Sequence, residues 1–154
     1  MLGTIVNVNN AKWLGIAGSL IVFIGMFLPL YTTETNRAAA NFFGFPVVQY
    51  MLLIVLLATS IALCFTKYLK HIAWIGLVIL GYVLLALYGL HRMMEAYRFR
   101  VVQEIPDDVR LENAERLTVG LGIGWVPLLL GAVMIIAAGI LIRRRIKLLA
   151  ITAR

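Results

Sequence analysis

The chain has 154 residues, 62% of them hydrophobic and 14% charged, with a mean hydropathy of +0.96 and a net charge of +7. Soluble domains are roughly 45–50% apolar and about 25% charged, and a chain this short cannot bury the excess. The composition excludes a water-soluble globular domain and makes lipid the solvent.

A bilayer core of about 30 Å needs about 20 consecutive apolar residues in a helix, and continuous apolar runs mark helices where barrel strands would alternate. The first run is Trp13–Tyr31. It exceeds the roughly 7–15 apolar residues of a secretory signal and only Lys12 precedes it as a base, so it is expected to be retained although Ala38-Ala39-Ala40 looks like a cleavage site. The loop that follows carries Phe42, Phe43 and Phe45, which are predicted to dip into the interface or to cover a neighbouring subunit.

The second run is Val47–Thr66, with Gln49, Thr59 and Ser60 as its polar groups. A Ser or Thr hydroxyl in lipid bonds either to a carbonyl one turn back or across to another helix. The short link Lys67–Lys70 makes the second and third helices antiparallel neighbours. The third run, His71–His91, meets no breaker until Pro106, and Pro106-Asp107-Asp108 then reads as a helix start. Val109–Leu117 leads into the fourth run, Leu117–Ile142, with Glu112 and Arg116 as an i,i+4 pair. Segment 92–116 is thus predicted to be an outer helical hairpin. Its alternating charges suit a solvated surface or, with Tyr97 and Phe99, a partner-docking one. Pro127, preceded by Gly120, Gly122 and Gly124, predicts a kink in the fourth helix, or a hinge if the bend is used. Those glycines do not make a nucleotide loop: Trp125 stands where G-x-G-x-x-G needs glycine, and no strand is predicted ahead of them.

Counted by side, Lys12, Lys67, Lys70, Arg143, Arg144, Arg145, Lys147 and Arg154 share the face that holds both termini, with no acid among them. The opposite face carries Arg37, Arg92, Arg98, Arg100, Arg110 and Arg116 together with every Asp and Glu of the chain. The positive-inside rule therefore predicts both termini in the cytoplasm. The basic charge reads as a topology signal, with Arg143, Arg144 and Arg145 against anionic lipid or an acidic partner, and not as a nucleic-acid surface. Trp13, Tyr68 and Trp74 at one level and Tyr31, Tyr50 and Tyr88 at the other fit interfacial belts.

Helices in lipid associate through close packing and polar contacts, so small residues should mark their interfaces. Gly124, Gly131 and Ala138, seven residues apart, predict a seam on the fourth helix, extended by Gly120. Gly15 with Ser19, and Ala58 with Ala62, offer matching surfaces on the first and second. The expected fold is an all-α membrane protein: one domain, 1–154, forming an antiparallel four-transmembrane-helix bundle.

No span interior contains Asp, Glu, Lys or Arg. This excludes by pattern the transporters and proton-channel subunits that use an intramembrane carboxylate. The lone Cys64 excludes an intrachain disulfide, a cysteine metal cluster and paired-thiol chemistry. His71 and His91 lie at opposite ends of one helix, about 30 Å apart at 1.5 Å per residue, so they cannot share one iron. Each could ligate a haem or pigment singly; the ordinary reading is an interfacial histidine. No catalytic or metal site is predicted.

Phe27-Leu28-Pro29-Leu30 closes the first span, a short outer loop follows, and Gly122-Ile123-Gly124-Trp125 opens the last. In this order of features most of the chain resembles the small bacterial four-span inner-membrane proteins of unassigned function. It is unlike claudins and tetraspanins, whose paired outer-loop cysteines are missing. The resemblance implies an inner-membrane location and nothing catalytic. The role expected is a structural or accessory subunit of a larger membrane complex, with other membrane subunits and bound lipid as partners and no cofactor of its own. The alternative is a homo-oligomeric transporter or channel with its conduit between protomers.

Overall fold

Lipid offers no partner to an open backbone, and each apolar run closes its hydrogen bonds within itself. The results are α1 (Val8–Gly25), α2 (Val47–Phe65), α3 (Ile72–Glu104) and α4 (Trp125–Thr152). All four are long and apolar enough to cross a membrane, consistent with a multi-pass integral membrane protein. The structure is a computed structural model and describes residues 8–33, 39–44, 46–66, 68–104 and 119–152.

Helix α3 has 33 residues, about 50 Å at 1.5 Å per residue, which exceeds a bilayer core of about 30 Å. It runs on through Arg92–Tyr97, as the lack of a breaker predicts. The second limb expected for the outer hairpin, with Pro106 and the Glu112–Arg116 pair, lies outside the described residues. So do Phe45 and the side chains of Tyr97 and Phe99.

A small sheet caps one end of the bundle. Its strands β1 (Tyr31–Thr33), β2 (Ala39–Ala40) and β3 (Val119–Leu121) are ordered β2-β1-β3, antiparallel throughout. Thr32 pairs with Ala39 on one side and Gly120 on the other. This corrects the fourth span, expected from Leu117: residues 119–121 are a strand, and α4 begins at Trp125. Three glycines in five residues weaken a helix by about 1 kcal/mol each relative to alanine, while the edge of β1 offers their backbone direct partners. Gly120 is therefore a strand residue and not part of a helix seam. The kink at Pro127 is also corrected. Pro127 is the third residue of α4, in the first turn, where a missing N–H leaves no helical bond unmade.

Helices α1 and α4 run antiparallel and approach closest. One face of α1 presents Ala11, Gly15, Gly18, Val22 and Gly25, all buried, at alternating steps of three and four residues. A Cβ on Gly18 would stand 2.7 Å from the Gly131 carbonyl oxygen, and one on Gly131 would stand 2.5 Å from the Gly18 carbonyl oxygen. Each backbone thus occupies the space where the other lacks a side chain. Further along, a Cβ on Gly15 would meet Ala138 at 3.5 Å, and one on Gly25 would meet Leu128 at 3.1 Å. Helix α3 joins α4 by the same device, with Gly76 against Ile135 and Ile136 and Gly139 against Ala73.

Helix α2 turns Leu53, Leu57, Ser60 and Cys64 inward. Ser60 and Ser19 are buried and share a hydrogen bond of 3.1 Å, a polar tie between α2 and α1. Thr59 points outward and donates to the Val55 carbonyl at 2.8 Å, so the two hydroxyls adopt the two solutions available to them in lipid. Ala58 and Ala62 are exposed, which corrects their expected place within the bundle. Of the two faces of α2, the one carrying Ser60 goes inside because that hydroxyl has a partner there.

Candidate functional site

Two regions concentrate polar groups among the described residues, one at each end of the bundle. At the sheet end, α1 ends at Gly25 and Pro29 prevents its renewal. The Leu30 carbonyl oxygen accepts from the Gly122 N–H at 2.8 Å and from Trp125 Nε1–H at 2.8 Å, using both lone pairs. The neighbouring Pro29 carbonyl accepts from the Gly124 N–H at 2.9 Å. A Cβ on Gly122 would collide with the backbone of Pro29, and one on Gly124 would stand 2.8 Å from the Leu28 carbonyl oxygen. Gly124 therefore lets the chain after α1 lie directly on the start of α4 and is not a point on a helix seam. A strand does precede these glycines, but their N–H groups are spent on residues 29 and 30 and cradle no phosphate.

Phe42 plugs this end. It is 0% exposed, and its N–H donates to the Met26 carbonyl at 3.1 Å. The expectation that Phe42 meets lipid or a neighbour is thereby corrected: its ring is buried in the core cluster, with the Tyr82 ring at 6.4 Å between centroids. Phe43 remains half-buried and belongs to a surface run of rings, Phe23–Phe27–Phe43–Tyr50, with centroids 5.2, 4.9 and 5.4 Å apart. Such spacings are favourable edge and tilted contacts. Tyr82 ties α3 to the start of α2 at this end, donating from its hydroxyl to the Gln49 carbonyl at 3.0 Å.

At the other end, a turn at Leu69–His71 leads into α3 and meets the last third of α4. Here Arg143 Nε–H donates to the Lys70 carbonyl at 2.8 Å, and its guanidinium lies over the Trp74 ring, 5.4 Å from the centroid. A groove of about 490 Å³ opens beside it, with Lys70, His71, Arg143, Arg144 and Lys147 as its bases and Ile140 and Ile146 as apolar walls. Among the described residues no carboxylate lines it. Arg145 is half-buried on α4 and is not among the groove's lining residues.

His71 thus sits in a basic groove, while His91, well inside α3, pairs its Nε2 with Glu95 Oε1 at 3.4 Å on an exposed face. Cys64 is buried and donates to the Ser60 carbonyl at 3.4 Å. Among the described residues no three of His, Cys, Asp and Glu come together, and every buried side-chain nitrogen or oxygen has a partner.

Gly131 and Ala138, with Gly15 and Ser19, meet as packing residues; Gly18, Gly25, Gly76 and Gly139 belong with them and were not singled out by sequence. The spacing of Gly15, Gly18, Val22 and Gly25 is a readable signal for α1. Gly76 and Gly139 are lone glycines in apolar runs and carry no pattern. The chain matches no known protein family, no curated protein and no solved structure.

Proposed function

We propose that the chain is a non-catalytic accessory subunit of a larger membrane assembly in a bacterial inner membrane, with both termini in the cytoplasm. The observation that carries this reading is the outward face of α2. Ala58 and Ala62 sit there, unused by the chain's own packing, one turn apart and beside Thr59. Small residues let a second helix approach closely, and lipid gains nothing from them. The orientation is supported by the bases gathered at the end that holds the termini. A tag following Arg154 should resist protease added to intact cells and become cleavable once the membrane is opened; cleavage in intact cells would reverse the orientation.

Contact at α2 is tested by placing the photo-crosslinker benzoylphenylalanine at Ala62 in native membranes. The expected product joins this chain to a different membrane protein at one defined mass, while the crosslinker at Leu85, an exposed position of α3, gives lipid adducts. A product at twice 17.1 kDa would favour the homo-oligomeric conduit. Lipid adducts at both positions would remove the reading.

A further inference from the structure

Arg143 is fixed before any ligand arrives. Its Nε–H is held by the Lys70 carbonyl at 2.8 Å and its plane is held over Trp74. An arginine has five N–H donors, so four on the two Nη atoms remain after that bond. A pre-ordered guanidinium loses less side-chain freedom on binding an anion than a free one does. Lys70, Arg144 and Lys147 line the same groove with no acid beside them among the described residues, and Ile140 and Ile146 supply an apolar wall.

Depth adds a second, independent constraint. Counted from Trp125 at the sheet end, about 20 residues of helix cover a bilayer core and reach Arg144. The bases therefore stand at headgroup level, while Ile140 lies about one turn deeper, beside the acyl chains. Exposed Trp13, Tyr68 and Trp74 mark the same end of the bundle, as interfacial aromatics do. A soluble phosphate would use the bases and leave the isoleucine wall idle; a phospholipid uses both.

We propose that this groove is a specific site for an anionic phospholipid, whose phosphate lies between Arg143, Lys70 and Lys147 and whose acyl chain lies along Ile140. The site does not rest on the accessory-subunit reading, since such a lipid would bind the bundle alone as well as in an assembly.

The test is native mass spectrometry of the full chain in mild detergent, offered dioleoylphosphatidylglycerol and dioleoylphosphatidylcholine in competition. One phosphatidylglycerol should be retained in preference to phosphatidylcholine by roughly tenfold or more, given the attraction of several adjacent bases. The double variant Arg143→Gln/Lys147→Gln should bring the two lipids close to parity, and Arg92→Gln, about 30 Å along α3 from Lys70 at 1.5 Å per residue, should leave the preference unchanged. A photoactivatable phosphatidylglycerol on the unaltered chain should label the 140–147 segment, which keeps the site testable if the double variant fails to fold. Equal retention of both lipids by the unaltered chain would overturn the proposal, as would an unchanged preference in a folded double variant or labelling elsewhere. Displacement of the lipid by millimolar inorganic phosphate would replace it with a free-anion site.

Discussion

Replacing Gly131 with leucine should destabilise the bundle by about 2–3 kcal/mol, the upper part of the range for forcing volume into a packed interior. Even Gly131→Ala should cost about 1 kcal/mol, because its Cβ would stand 2.5 Å from the Gly18 carbonyl oxygen and 2.8 Å from the Val22 nitrogen. Those neighbours are helix backbone and cannot rotate away, so α1 and α4 must separate. Gly81→Ala is the matched comparison. Gly81 is exposed and a Cβ there meets nothing within 4 Å, so the change should be neutral or stabilising by up to about 1 kcal/mol. Thermal unfolding in mild detergent, followed by circular dichroism, reads all three. If Gly131→Leu melts with the parent, the α1–α4 seam does not hold the fold.

Trp125→Ala should be comparably damaging, at about 3 kcal/mol, the lower end for deleting a buried aromatic side chain. The lower end applies because association in lipid lacks the water-transfer part of that figure, while the cavity and lost dispersion contacts remain. Trp125→Phe should cost only about 1 kcal/mol: a ring still fills the site, and the Leu30 carbonyl keeps its bond from the Gly122 N–H at 2.8 Å. The ratio of the two effects separates the ring's packing from its hydrogen bond. Equal losses in the two variants would mean that the indole N–H, and not the ring, holds the start of α4 against the end of α1.

The helices were legible because lipid imposes one rule on every span, and length with apolar continuity suffices to meet it. The α1–α4 seam was half legible. Gly131, Ala138 and Gly15 follow from the preference of lipid-embedded helices for small contacts, but which small residue meets which depends on rotation about each helix axis. Ala58 and Ala62 show the limit: their spacing is as good as that of Gly15 and Ser19, yet they face outward because Ser60 found a hydroxyl partner on α1.

The sheet was hidden for a different reason. Strands of two or three residues carry no alternation to read, and the pairing of Tyr31 with Leu121 joins segments far apart in the chain. Three glycines before Pro127 read as a soft helix start because their partners lie elsewhere in the chain: Gly120 pairs with Thr32 of β1, and Gly122 and Gly124 donate to the carbonyls of Leu30 and Pro29, beyond the end of another helix. Phe42 is illegible for the same reason: an aromatic in a polar loop reads as exposed, and its burial depends on a partner, Met26, from elsewhere in the chain. The basic groove needs Lys70 beside Arg143, a neighbourhood that neither the short link nor the arginine run discloses alone.

The accessory-subunit account is tested most directly by the mass and protein content of the particle that carries a C-terminally tagged copy, extracted from native membranes in mild detergent, with its visible spectrum recorded. Different membrane proteins should be present in fixed stoichiometry with this chain, any absorbing group belonging to them. A colourless particle whose protein mass is a multiple of 17.1 kDa, containing this chain alone, would contradict it.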